Sequence, residues 1–415
     1  MRDTELYRHL LGIEQPWTVE RVELDVKSQQ VDVWAAHAEG TRWPCPECDA
    51  ELPGYDHAPE RTWRHLDSCQ FKTYLHARPP RVECPTHGVK TVRLPWAEPS
   101  SRFTAMFERL VIDVLKETDV LGAARILHMT WDEVWAVMGR AVRRGLKRKR
   151  RRPIQYIGVD EKAAAKGHKY LTLVCDLKRA TVEYVGDDRK QESLDGYFES
   201  LTETQRAAID GIALDMWQPF IASIETYFPL ATQMMVFDRF HIMQHLSRAV
   251  DAVRKQEHRA LRADGDDALL RTKYLWLRSQ ENLSDEQRGQ LDRLLSRADL
   301  KTGRAWALKE ALRRLWHYHS RGWAEKHWRR WYFWATHSRL APMIKAARTV
   351  RSHLANVMTF LTHRITNAVA EGINSKIQTI KQKACGYRNR DNFRTAILFH
   401  CGGLSLYPRA AAPTH

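Results

Sequence analysis

Two sets of side chains in this sequence have types and spacings that suit chemistry. The first is a pair of short knuckles, Cys45-Pro-Glu-Cys48 and Cys84-Pro-Thr-His87-Gly88, each ending in a turn that can present two ligands to one ion. Zinc takes four thiolate or imidazole ligands in a tetrahedron, so Cys45, Cys48, Cys84 and His87 are read as holding one structural Zn2+. His57, His65, Cys69 and His76 lie between the knuckles and read as packing or surface residues. The second set is acidic. Asp160 closes the apolar run in IGVDEK, and Asp215 closes GIALDMW. A carboxylate that ends a buried strand leaves the sheet at its edge, where it can reach a ligand. Two such donors, completed by a third, would suit a pair of Mg2+ (or Mn2+) ions, which favour hard oxygen ligands.

The third carboxylate is read as Glu371. In TNAVAEGINSKIQTIK the stripe Ala370, Ile373, Ile377 and Ile380 has the spacing of a helix face that packs on a sheet. Glu371 lies on the flank of that stripe, with Asn367 one turn before it and Asn374 just under a turn after. Asp238 in VFDRFHI is a rival, because it too closes an apolar run. Glu161, Asp176 and Asp188 are weaker rivals.

These side chains need elements to position them. Residues 1–98 read as a β-rich unit: WTVERVELDV, VDVWAAHA and FKTYLHA carry apolar residues mostly two apart, punctuated by Pro, Gly and Cys. Residues 99–152 turn to a helical period, first through Phe107, Leu110, Val111, Val114 and Leu115 and then from Val120 to Leu127. Thr130-Trp-Asp-Glu133 then has capping-box form. A support helix, a short helix, a turn near His128 and a longer helix from Thr130 make a helix-turn-helix DNA-binding unit. It runs into RAVRRGLKRKRRR, with nine basic side chains in thirteen residues. Arg140, Arg143, Arg144, Lys147, Arg148, Lys149, Arg150, Arg151 and Arg152 are read as a phosphate track, its second half too charged to stay helical without phosphate.

Residues 153–245 give three consecutive apolar strands, then helix, strand, helix and strand, which predicts an α/β core with a mixed sheet. In sheets of the ribonuclease H type the first and fourth strands are neighbours, so Asp160 would face Asp215. Residues 246–350 read as an all-helical insertion holding seven of the fifteen tryptophans. Among them Trp306, Trp316, Trp323, Trp328, Trp331 and Trp334 are interleaved with Arg313, Arg314, Arg321, Lys326, Arg329 and Arg330. Either these rings form an aromatic core with a solvated basic face, or one or two stack on an unpaired base. Residues 351–408 return to the core with Glu371. The expected class is a multidomain α+β chain: β-rich zinc unit, helix-turn-helix, and an α/β core interrupted by helices.

Composition fits this division. The chain has 415 residues, 43% hydrophobic and 28% charged, which suits several globular units rather than disorder. Its 66 Lys+Arg against 50 Asp+Glu leave +16, a surplus that suits a polyanionic partner. No stretch approaches the roughly 18 apolar residues of a membrane span. The start, MRDTELYRHLLGIEQPW, lacks the apolar core of a signal peptide, so a cytoplasmic location is expected. Seven scattered cysteines argue against a disulfide framework.

At these residues the sequence resembles the bacterial insertion-sequence transposases of the ISL-three family, which carry an Asp-Asp-Glu site. The shared segments run nearly end to end: the CPEC and CPTHG knuckles, YDHAPERTWRHLD, GVDEKAAAKGHKYLTLVCDL, ALDMWQPF, VFDRFHI and TNAVAEGINSKIQTIKQKACGYRNRDNFR. The resemblance implies a ribonuclease H-like core and carries the catalytic and Mg2+-binding roles onto Asp160, Asp215 and Glu371. It further implies that two Mg2+ ions support cutting at the element's ends, freeing a 3′ hydroxyl that then attacks target DNA. Double-stranded DNA, as terminal inverted repeats and as target, is the implied partner, with at least a homodimer to bring two ends together. A fourth Cys would be common where His87 stands, an exchange that zinc tolerates. Lys376, Lys381, Lys383, Arg388 and Arg390 follow Glu371 and are read as holding DNA phosphates near the site. Two other readings stay open: a repurposed DNA-binding regulator without catalysis, and a metal-dependent endonuclease without strand transfer.

Nine unopposed positive charges after a DNA-reading unit predict a steep fall in DNA affinity with salt. Titrating a labelled duplex at several NaCl concentrations should give a strongly negative log–log slope, shallower once Lys147 to Arg152 are neutralised. A flat response would remove the phosphate track.

Overall fold

The computed structural model describes residues 2–150, 152–165 and 169–408, so Arg151 of the expected phosphate track lies outside the described residues. Contacts divide the chain into two units. One comprises the residues up to 150 with 380–386 and those from 391 on; the other comprises 152–379 with 387–390. The expected last core segment, 351–408, is therefore split: Glu371 belongs to the second unit and the residues after 391 to the first.

In the first unit, β1 (Trp17–Asp25), β2 (Gln30–His37), β3 (Arg61–Arg64) and β4 (Lys72–Ala77) form a sheet in the order β1-β2-β4-β3. Only the β2–β4 pair is parallel. Side chains on a strand alternate between faces, and here Val31, Val33 and Ala35 of β2 and Thr73, Leu75 and Ala77 of β4 are buried while their neighbours are not. Trp17, Trp63 and Trp96 fill the space over that face, the Trp17 and Trp96 rings meeting edge to face at 4.7 Å.

Three helices follow: α1 (Ala105–Glu117), α2 (Val120–Ile126) and α3 (Trp131–Arg148). Each begins at a side-chain cap. Thr104 accepts from the Phe107 amide and Asp119 from Gly122, while Thr130 and Glu133 bond reciprocally as a capping box. Phe107, Val111, Leu115, Ala123, Val134 and Met138 pack the three together, and His128 turns the chain between α2 and α3 with φ at 51°.

The polar centre of this unit corrects part of the expected phosphate track. Glu108 of α1 is 1% exposed. Its carboxylate accepts from Ser101 Oγ at 2.8 Å, from Arg140 Nη2 at 2.6 Å and from Arg144 Nη2 at 2.8 Å. Arg144 also bonds Glu98 at 2.7 Å. Arg140 and Arg144 lie four residues apart on α3 and so share its inward face. Arg144 is buried and Arg140 half-buried, and both are paired with Glu108, which corrects the reading of them as exposed phosphate contacts. The helix also continues through Lys147 to Arg148 rather than unwinding under its own charge. C-terminal carbonyls help hold its end: Arg148 Nη1 donates to Tyr407 O at 2.6 Å and Lys149 Nζ to Gly402 O at 3.2 Å. Arg143, Lys147, Arg150 and Arg152 are exposed.

The second unit is built on a five-stranded sheet of β5 (Tyr156–Ala165), β6 (Lys169–Asp176), β7 (Thr181–Gly186), β8 (Gly211–Leu214) and β9 (Met235–Phe237), in the order β7-β6-β5-β8-β9. The first three pair antiparallel, while β5, β8 and β9 run parallel. This is the mixed sheet that the order of segments predicts. Long helices follow, including α4 (Arg239–Ala263), α5 (Lys301–Arg313) and α6 (Arg321–Thr336), before α7 (Ala368–Lys383) supplies Glu371. Trp276, Trp306, Trp316, Trp328 and Trp331 are buried in a core continuous with that of the sheet, whereas Trp323 and Trp334 are exposed. The aromatic-core reading thus holds for most of the insertion's rings.

Removing one partner of a buried ion pair strands the other, at a cost of about 3–5 kcal/mol. Glu108→Ala should therefore lower the urea midpoint of the first unit sharply, read by tryptophan fluorescence. An unchanged midpoint would show that the Glu108 cluster does not support the helix-turn-helix.

Candidate active site and metal centre

The two knuckles meet. Cys45 follows the short strand Arg42–Pro44, and Cys84 ends the strand Pro80–Cys84, which pairs antiparallel with Gly88–Thr91. Gly88 takes φ of 68° in the intervening turn, a backbone state that suits glycine. The ligand atoms of Cys45, Cys48, Cys84 and His87 all lie within 4.8 Å of one another. Zn–S bonds near 2.3 Å and Zn–N bonds near 2.0–2.1 Å require tetrahedron edges of about 3.8 Å between sulfurs and about 3.6 Å from sulfur to nitrogen. The Cys48–Cys84 sulfurs are 3.7 Å apart, and His87 Nδ1 lies 3.4 Å from Cys84 Sγ and 3.8 Å from Cys45 Sγ. Hydrogen bonds from the Thr86 amide foremost, and from His87, hold the Cys84 thiol down to about 6, favouring the thiolate that a metal binds. The set fits a structural zinc. Of the intervening residues His57 and Cys69 are exposed and two pack: burial pushes His65 down to about 4 and its Nδ1 meets Thr104 Oγ1 at 2.9 Å, while His76 Nε2 meets Asp32 at 2.6 Å.

In the second unit, three parallel strands deliver three aspartates to one edge. Asp215 is the first residue beyond β8 and Asp238 the first beyond β9. Asp160 does not end β5, which runs on to Ala165 against β6; this corrects the expectation of a strand-closing residue. Its parallel pairing with β8 nevertheless stops at Gly158, so Asp160 stands where the parallel part of the sheet gives out. Ligands gather at such carboxyl ends of parallel strands.

Helix α7 crosses this edge with Ala370, Ile373 and Ile377 buried beneath it, and Glu371 and Asn374 on its flank. Gly158 permits the approach. A Cβ there would stand 2.8 Å from Asn367 Oδ1 and 2.7 Å from Leu177 Cδ2. Asn374 Nδ2 donates to Asp160 Oδ2 at 2.6 Å, while the Glu161 amide donates to Oδ1 at 2.7 Å. Asp215 accepts from the Met216 amide at 2.6 Å and has His241 Nδ1 at 3.3 Å. Burial raises the carboxyl pKa of Asp160, Asp238 and Glu371, and Glu371 is raised further by Asp238 and Asp160. Asp238 Oδ2 and both polar atoms of the Asn367 side chain are buried without a hydrogen-bond partner.

Asp160, Asp215 and Glu371 are thus brought together. Among the described residues, the Cys45 cluster forms the one group of three or more Cys, His, Asp or Glu donors within 4.8 Å of one another, so the acidic trio is not a one-ion shell. The carboxylate oxygens gathered at this edge are hard donors, the kind that divalent cations such as Mg2+ favour. Of the rivals, Asp238 lies at this edge, whereas Asp176 caps the turn amides of Lys178 and Arg179, and Asp188 bonds Ser193 and Lys190. Glu161 lies 3.4 Å from Arg189, whose guanidinium rests between the rings of Tyr170 and Trp217. Sequence reasoning missed His241. The signal was available, since residues 238 and 241 are a helical i, i+3 pair in VFDRFHI. Of the basic residues after Glu371, Lys376 and Arg388 are exposed, Lys381 is half-buried, Lys383 donates to Glu117 O and Arg390 to Asp187 O, each at 3.2 Å.

Known proteins supply an independent comparison. A family model described as a transposase matches residues 157–397, one described as the zinc-finger of transposase IS204/IS1001/IS1096/IS1165 matches 41–87, and one for the helix-turn-helix domain of transposase family ISL3 matches 92–142. The transposase for insertion sequence element IS1001 of Bordetella parapertussis is 29% identical over 353 residues, covering 84% of this chain and 86% of its own. The transposase for insertion sequence element IS1557 of Mycobacterium tuberculosis (strain ATCC 25618 / H37Rv) is 25% identical over 419 residues, covering 94% and 93%. The three models meet the zinc-ligand cluster, the capped helical triad and the carboxylate-bearing sheet in the order in which the chain lays them down. This chain belongs to the ISL3 family of transposases.

Proposed function

We propose that this transposase binds the terminal inverted repeats of its insertion sequence and cuts and joins DNA at the edge where β5, β8 and α7 meet. The observation that carries the reading is the convergence of Asp160, Asp215 and Glu371, from three elements far apart in sequence, on one end of a parallel sheet. The strand order β7-β6-β5-β8-β9, with three antiparallel strands leading into two parallel ones, supports a ribonuclease H-like core. The trio would hold two Mg2+ (or Mn2+) ions. Bound there, such ions activate the attacking oxygen and stabilise the leaving one. The chain's own task is geometric. Asn374 fixes the rotation of the Asp160 carboxylate, and His241 does the same for Asp215.

Upstream, the helix-turn-helix and the zinc unit would read the repeat, and exposed Arg143, Lys147, Arg150 and Arg152 would follow its phosphates. Lys376 and Arg388, exposed beyond Glu371, would hold phosphates nearer the cut. Because two ends must be joined in one event, the working form would be a homodimer or larger on DNA.

Incubation with Mg2+ and labelled element ends, beside Glu371→Gln, tests the reading. The wild type should cut and join, and the variant should bind without cutting. Binding without cutting by the wild type would leave a regulator; cutting without joined product would leave a nuclease; cutting by Glu371→Gln would remove Glu371 from the site. Asn374→Ala and His241→Ala should each lower the rate by roughly 10- to 100-fold, as loss of a ligand-orienting partner does.

The zinc assignment has its own test. Purified protein should contain one zinc per chain by elemental analysis, and Cys84→Ser should lose it along with the ordered N-terminal fold, read by protease resistance. Full protease resistance in metal-free protein would reject a structural ion.

A further inference from the structure

A cavity of about 450 Å3 lies between the first turns of α4, the end of α5 and the start of α7, with Asp238 and Glu371 in its wall. That volume is within the range of small-ligand sites, roughly 300–1,000 Å3. Its charged lining balances: Arg239, Lys309 and Arg313 stand against Asp238, Glu310 and Glu371. Lys309 is held by the carbonyl oxygens of Trp276 and Arg278, at 2.8 and 3.1 Å, and pairs with Glu310 at 3.1 Å, so those two charges cancel locally. A balanced wall selects neither a free anion nor a cation. The remaining surface offers a flat apolar face in Phe240 and Met243, and hydrogen-bond donors and acceptors in Gln244 and Ser279. Phe240 is 56% exposed, although it lies only two residues beyond the buried Asp238. An aromatic face beside mixed polar groups suits a neutral, planar ligand with hydrogen-bonding edges, the description of a nucleobase.

The neighbouring carboxylates explain why a base would arrive there. Asp160 and Glu371 are only partly exposed and Asp238 is buried, so a phosphate that reaches them must leave the smooth surface of a duplex. Where a backbone drawn in at one phosphate unstacks an adjacent base, that base needs a new partner. We propose that the cavity receives one nucleobase, unstacked from the DNA next to the phosphate being cut, with Phe240 as its stacking platform. The proposal rests on the reading of Asp160, Asp215 and Glu371 as the DNA-cutting site.

The test uses full-length protein and duplexes of the terminal repeat carrying 2-aminopurine in turn at each position flanking the cut, with Ca2+ in place of Mg2+ so that bound DNA stays intact. One position should brighten several-fold on binding, and less so with Phe240→Ala. With Mg2+, Phe240→Ala should cut about tenfold more slowly, the worth of one base–aromatic stack. Phe240→Trp should restore the rate, and so should an abasic nucleotide at the responsive position, because no base then has to be housed. If the wild type binds and cuts while no position brightens, the proposal is overturned and the cutting site stands. If Phe240→Ala and Met243→Ala both cut at the wild-type rate, the proposal is likewise overturned. If the wild type does not cut at all, the proposal falls together with the reading it rests on.

Discussion

Crowding like charges at the edge of a sheet is costly, and the second unit is organised around that cost. Asp160, Asp215, Asp238 and Glu371 would repel one another and lose solvation as they are drawn in, as the raised pKa of three of them reflects. Hydrogen bonds and a nearby imidazole offset part of this: the Glu161 and Met216 amides, the Asn374 amide group and His241 all face the carboxylates. What they leave over is a cluster of acidic groups whose charge is only partly compensated. The sheet gives the acids rigid backbones, α7 brings Glu371 across them, and Gly158 clears the space in which that helix lies. A side chain at 158 would have to displace Asn367 or Leu177, and Glu371 would move with the helix.

The insertion follows from the same constraint. Glu371 must return to a sheet that the chain left after β9, and the residues between are stabilised by burying their own rings. Trp276, Trp306, Trp316, Trp328 and Trp331 join a core continuous with the sheet, so the excursion is braced against the unit that it interrupts. One of its helices, α5, then helps to wall the cavity beside Glu371. Stability and the shaping of a site are here supplied by the same helices.

Much of this was legible in the sequence, for definable reasons. Period-two and period-3.6 patterns exposed β2, β4 and the helix-turn-helix, because burial on one face forces them. The knuckles were legible because zinc needs adjacent ligands, and the Thr130–Glu133 cap because it is a local hydrogen-bond pair. Features that depend on distant partners were not legible. Nothing near Arg140 or Arg144 in sequence reveals that Glu108 and Glu98 wait across the helix, so both arginines read as part of a basic run. The same limit hid the split of 351–408, whose C-terminal stretch reaches back to Arg144, Arg148 and Lys149.

That correction changes what the +16 means. A run of nine basic residues looks like a uniform ribbon of charge, yet its helical part has two faces. The inward face neutralises Glu108 and fixes how α3 sits on α1; the outward face, with Arg143 and Lys147, is the part that can meet a phosphate. Arg140 and Arg144 thus brace the helix-turn-helix, while Arg143 and Lys147 remain on its exposed face. Neutralising the two faces separately should perturb different quantities, unfolding free energy for the inward pair and, on the proposed DNA-binding reading, salt-dependent affinity for the outward pair. A single alternation along α3 thus gives one basic segment a face that holds the fold and a face left to solvent.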